Sequence, residues 1–132
     1  MAINLLLDHN IEGYAVYLAA GLKETGWDQL IQVEFKVLRD YGLPENYPDD
    51  EIWRFVQTQR LLLITNNRNS TGENSLQATM RRENTPNALP VLTIPNQDAL
   101  KNSDYRQRAA HRLAEIILYL DNHLGTGRQF IP

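Results

Sequence analysis

A chain of 132 residues, 42% hydrophobic and 22% charged, has the size and composition of one globular domain, and residues 1–132 are read as a single unit. It holds no cysteine, which excludes disulfides, thiolate-held zinc, iron–sulfur clusters and a thiol nucleophile together. A net charge of −3 argues against a broad basic face for duplex DNA.

The opening MAINLLLDHNIEG lacks the basic start of a secretion signal, and its apolar run stops at Asp8. The longest wholly apolar stretch, Leu61-Leu62-Leu63-Ile64, is far short of the roughly 20 residues of a membrane span. The expectation is a cytoplasmic protein with no membrane partner. Ile3–Leu7 then reads as a buried strand. From Ile11 the apolar positions Ala15, Leu18, Ala19 and Leu22 follow a helical period, with Asn10 as N-cap and Gly26 as stop. Leu30-Ile31-Gln32-Val33 predicts a second strand. A short helix through Val37 and Leu38 leads into a loop, Tyr41–Pro48, punctuated by Gly42, Pro44 and Pro48.

Asp49-Asp50-Glu51 opens the next helix, where acids complement the positive end of its dipole, and Arg60 closes it. Leu61–Thr65 predicts the third strand and Asn66–Glu73 a polar loop. A helix over about Asn74–Arg82 precedes a Pro86–Pro90 loop and a strand at Val91–Ile94 that Pro95 ends. The final helix, capped by Asn102 or Ser103, carries the stripe Tyr105, Ala109, Leu113, Ile116, Ile117 and Leu120 and ends near Gly125. Phe130-Ile131 adds an edge strand. Alternating strands and helices predict an α/β fold, a central mainly parallel sheet with right-handed crossovers and helices on both faces.

In such a sheet the site lies beyond the carboxyl ends of the strands. Polar clusters fall there: Asp8-His9-Asn10 after the first strand and Asn66-Asn67-Arg68-Asn69 after the third. A carboxylate held at the mouth of the sheet suits a hard divalent cation, which takes one or two carboxylates plus water. Asp49 supplies a second carboxylate if the helix start approaches the strand end. Each cluster also has a plainer reading: Asp8 as a helix cap, the three acids as a dipole complement, the asparagines as a turn. His9 reads as a solvated or capping residue. His111 and His123 lack metal-ligand spacing, Gly125-Thr126-Gly127 is not a phosphate loop, and Ser70, Ser75 and Ser103 have no nucleophile context.

The order LLLDHNI, then PDDEIWRFVQTQR, then LLLITNNRN resembles the PIN-like nuclease domains, in particular the small group that opens with a strand ending in Asp-Glu-Asn. The likeness covers about residues 3–70. It implies a three-layer α/β/α sandwich and a Mg²⁺- or Mn²⁺-dependent ribonuclease of the kind that serves as the toxin of a toxin–antitoxin pair. A homodimer and an antitoxin-like protein partner follow from the same likeness. Carried over, Asp8 and Asp49 are the catalytic acids and metal ligands. Asn67 and Asn69 stand at two further ligand positions. Asn10, Asn66 and Arg68 stand where substrate would bind. His9 replaces the family's Glu, and Asn67 and Asn69 replace two expected carboxylates. An amide oxygen still ligates a cation but brings no charge, and Asn67 cannot act as a base.

A second reading follows from those amides: a catalytically degenerate domain that binds RNA or a protein. Arg81, Arg82, Arg106, Arg108 and Arg112 would then form an RNA-facing patch. A third reading, an interaction module, takes Trp27, Trp53, Tyr14, Tyr17 and Tyr47 as interface anchors.

Overall fold

Leu5, Leu6 and Leu7 are all fully buried, which requires a strand covered on both faces. That strand is β1 (Ile3–Leu7), and its neighbours are β2 (Val33–Lys36) and β3 (Leu62–Thr65). With β4 (Val91–Thr93) and β5 (Arg128–Phe130) they make a five-stranded, all-parallel sheet in the order β2-β1-β3-β4-β5. The structure is a computed structural model and describes residues 2–66 and 72–132.

Side-chain alternation splits the core in two. Leu5, Leu7, Leu62, Ile64 and Leu92 face α1 (Ala15–Glu24) and α4 (Ser103–Leu118), which pack against each other. Leu6, Leu63 and Val91 face α2 (Asp49–Gln59) and α3 (Leu76–Glu83), with Ile52, Trp53, Val56, Leu76 and Met80 closing over them. The expected α/β/α sandwich is therefore the observed one. Gly21 of α1 lets α4 approach closely: a Cβ built there would lie 2.7 Å from the Arg106 carbonyl oxygen.

The crossovers depart from expectation in one place. β1–α1–β2 moves toward one edge of the sheet with its helix on the α1 face. β2–α2–β3 and β3–α3–β4 move the other way with their helices on the opposite face, so all three share one hand. β4–α4–β5 moves the same way as those two but carries its helix on the α1 face. Its hand is opposite to the rest, against the strong preference for right-handed units. Polar contacts agree with the placement. Arg112 of α4 donates to Gln129 on one face of β5 (2.8 Å), while Arg128 on the other face donates to Gln77 of α3 (3.1 Å).

Several boundaries also move. The second strand is Val33–Lys36, not Leu30–Val33, because an edge strand alternates (Val33 and Phe35 inward, Glu34 and Lys36 outward) where a central one runs apolar; Leu30 is 75% exposed. The first helix begins as a 3₁₀ segment, His9–Tyr14, so Asn10 lies within that turn and is not an N-cap. Gly26 ends the connection at φ 81° as expected, and Asn102 caps α4 by accepting from the Asp104 and Tyr105 amides. α4 stops at Leu118 and tightens into a 3₁₀ turn, Leu120–Asn122. A 3₁₀ segment at Gln97–Lys101 follows β4 where no element was expected. β5 begins at Arg128, two residues before the expected edge strand. No helix is long and apolar enough to cross a membrane, among the described residues.

Candidate functional site

Asp8 continues the alternation of Leu6 and so stands at the carboxyl end of β1 on the α2/α3 face. Its backbone amide donates to the Ile64 carbonyl (2.9 Å), which fixes it against the end of β3. Thr65, fully buried and the last residue of β3, donates its hydroxyl to Asp8 Oδ2 at 2.9 Å. Asp8 is half-buried and forms no ion pair among the described residues.

Asp49 opens α2 and is also half-buried. α2 returns the chain from the carboxyl end of β2 to the amino end of β3, so it begins at the edge where Asp8 lies and on the same face. Asp50 and Glu51 have other work. Asp50 is only 8% exposed; one of its oxygens accepts the Glu51 amide and the other faces Arg54 Nη1 at 3.4 Å. Arg54 also meets Glu51 and makes a 2.6 Å bond to Glu83, tying α2 to α3. That bond holds the Glu83 carboxyl below, and the Arg54 guanidinium above, their ordinary ranges.

The opposite side of the same edge is stitched shut. Asn66 donates to Gln97 (3.0 Å) and Tyr14 donates to Asp98 (2.5 Å), so the Gln97–Lys101 turn is tied both to the end of β3 and to the His9–Tyr14 turn. The bond to Asp98 raises the Tyr14 hydroxyl above its ordinary value. His9 sits between two carboxylates, Glu12 at 3.5 Å and Glu45 at 3.4 Å, and Glu12 also meets Arg39.

Of the residues singled out in the sequence, Asp8 and Asp49 share one edge and face. Asn66 is engaged with Gln97, and Asn10 is exposed. Asn67, Arg68 and Asn69 lie outside the described residues. Of the arginines considered as an RNA patch, Arg81 and Arg82 are exposed at the end of α3, whereas Arg106 pairs with Glu24 at 2.7 Å, Arg112 with Glu115, and Arg108 lies over the Tyr105 ring. Arg106, Arg108 and Arg112 belong to α4, on the face away from Asp8. Thr65 was missed as a site residue, although a polar residue closing the run LLLIT, two places after the inward-facing Leu63, carried the signal.

The donor set suits a hard cation: a rigidly placed carboxylate oxygen pair, with water able to complete the shell. Among the described residues, no group of three or more His, Cys, Asp or Glu could hold a metal ion. Any ion here would therefore rest on Asp8, with Asp49 nearby on the same edge, and keep several waters. Compared with family models, with curated proteins and with solved structures, the chain matches none.

Proposed function

We propose that the chain is a PIN-like, divalent-metal-dependent ribonuclease that hydrolyses RNA phosphodiesters. One observation carries the reading: Asp8 is a half-buried carboxylate at the carboxyl edge of the sheet, oriented by a buried hydroxyl and paired with no cation among the described residues. On α2, Asp50 and Glu51 are engaged by Arg54. A fixed acid that meets no counter-charge among the described residues suits cation binding.

In this reading Thr65 positions the Asp8 carboxylate by holding Oδ2, while Oδ1 accepts no side-chain bond among the described residues. Asp49 adds negative charge at the same edge and so strengthens attraction for a cation. A bound Mg²⁺ or Mn²⁺ would activate water and neutralise charge on the phosphate. The order of motifs supports RNA as the substrate. A homodimer, an antitoxin-like partner and a cytoplasmic setting belong to the same proposal.

The test is incubation of labelled single-stranded RNA with the protein in Mg²⁺, Mn²⁺ or chelator, beside Asp8→Asn and Thr65→Val. Cleavage that needs metal and Asp8, and that Thr65→Val slows without unfolding the protein, is the expected result. Metal-independent cleavage, or cleavage retained in Asp8→Asn, refutes the assignment. RNA binding without cleavage by the folded protein transfers the reading to the degenerate, binding-only domain.

A further inference from the structure

A second polar device lies on the other face of the molecule. Trp27 follows α1 in a short 3₁₀ turn, Trp27–Gln29, and its ring packs against the larger core. Its indole Nε1 donates to His111 Nδ1 on α4 at 2.8 Å, with the two rings edge to face at 83° and their centroids 6.2 Å apart. An indole nitrogen is a donor only. His111 Nδ1 is therefore the acceptor, a role open to a ring nitrogen only when it carries no proton.

We propose that the Trp27–His111 pair is a proton-operated latch that fastens the Gly26–Ile31 connection to α4. When His111 takes up a proton, both ring nitrogens become donors and face another donor, so the bond is lost. His111 is exposed and open to solvent protons. Charged groups stand on α4 and on the elements packed against it. On α4 they are Asp104, Arg108, Arg112 and Glu115, and Arg112 and Glu115 are paired with each other. On the turn itself stands Asp28. On α1 stand Lys23 and Glu24, the latter held by Arg106. From the Gln97–Lys101 turn come Asp98 and Lys101, which face each other at 3.7 Å, and from the Leu120–Asn122 turn comes Asp121. Among the described residues, the indole nitrogen bonds to His111 and to none of these groups.

The latch matters because of what it holds. The amides of Leu30 and Ile31 both donate to the Trp27 carbonyl at 2.9 Å, so moving Trp27 loosens the entry to edge strand β2. Leu30 is already 75% exposed, and a released Trp27 beside it would widen an apolar surface at low pH.

The measurement is a ¹H–¹⁵N spectrum followed from pH 8 to pH 5. The two tryptophans give two indole signals, and Trp53 in the other core serves as the internal reference. The Trp27 signal should move with the same midpoint as the His111 ring, while Trp53 stays still. Exchange of the Leu30 and Ile31 amides, corrected for intrinsic rates, should rise about two- to ten-fold across that midpoint, the equivalent of one lost hydrogen bond. His111→Gln keeps an acceptor that cannot titrate and should abolish both responses. A Trp27 signal that ignores the His111 titration overturns the proposal, as does a response that persists in His111→Gln.

Discussion

Replacing Gly21 by alanine sets two effects of known size against each other. Alanine is the better helix former, by about 1 kcal/mol at an interior position. Gly21, however, is buried where α1 meets α4. The added Cβ would lie 2.7 Å from the Arg106 carbonyl oxygen, 2.9 Å from Arg106 Cγ and 3.2 Å from Ala110 Cβ. The nearest of these is backbone, which cannot swing aside, so the two helices must separate. Overpacking of this kind costs about 1–3 kcal/mol, and loss of contact along the largest helix–helix interface places Gly21 in the upper half of that range. The expected net destabilisation is about 1–2 kcal/mol. Urea denaturation followed by far-ultraviolet circular dichroism reads it directly, with Gly13→Ala as control because a Cβ there meets nothing within 4 Å. A Gly21→Ala protein as stable as the parent would mean that α1 and α4 do not approach as described.

Gln57 acts as a piece of sheet edge: its amide donates to the Leu89 carbonyl (3.0 Å) and accepts from the Leu89 amide (2.8 Å), at a residue that is 4% exposed. Gln57→Leu leaves two buried backbone groups unpaired and should cost about 2–4 kcal/mol by urea midpoint, whereas Gln59→Ala on the exposed side should be close to neutral. For Glu83 the prediction concerns pH. Its carboxyl is held below the usual 4.5 by Arg54, so the ion pair stabilises the fold above that value and the benefit is lost as pH falls through the lowered one. The parent should therefore exceed Glu83→Gln in denaturation midpoint near neutrality, and the gap should close in acid; a constant gap would refute the assignment.

Apolar runs and helical stripes made most of this fold legible in the sequence. Leu5–Leu7 and Leu62–Ile64 announce doubly covered strands, and the stripe through Leu113 and Ile116 announces α4. What was hidden is non-local. The edge strand β2 was displaced because its pattern depends on having one neighbour, a fact the segment itself does not carry. The hand of the last crossover depends on which face α4 takes, and there it packs against α1, where Gly21 meets Ala110 from nearly ninety positions away. At the site, Asp8 was legible because it breaks a strand, and Thr65 was not because it sits inside one. Asp50 read as one of three helix-opening acids, and only the fold shows it engaged by Arg54, which also bonds Glu83.

The reversed crossover also sets an order in which the two cores can close. The smaller core draws on residues from Leu6 to Val91 and has all its buried members once the chain has passed β4. The larger core joins Leu5, Leu18 and Leu22 to Ala109, Leu113, Ile116 and Ile131, so it cannot be completed until nearly the whole sequence has emerged. A growing chain can thus cover one side of β1 and β3 while the other side, with Leu5, Leu7, Leu62 and Ile64, waits bare. Contacts of such long separation form slowly, and an uncovered parallel sheet is an aggregation hazard in the interval. Between synthesis of β4 and docking of α4, one face of the central strands therefore stays uncovered while the other is already closed.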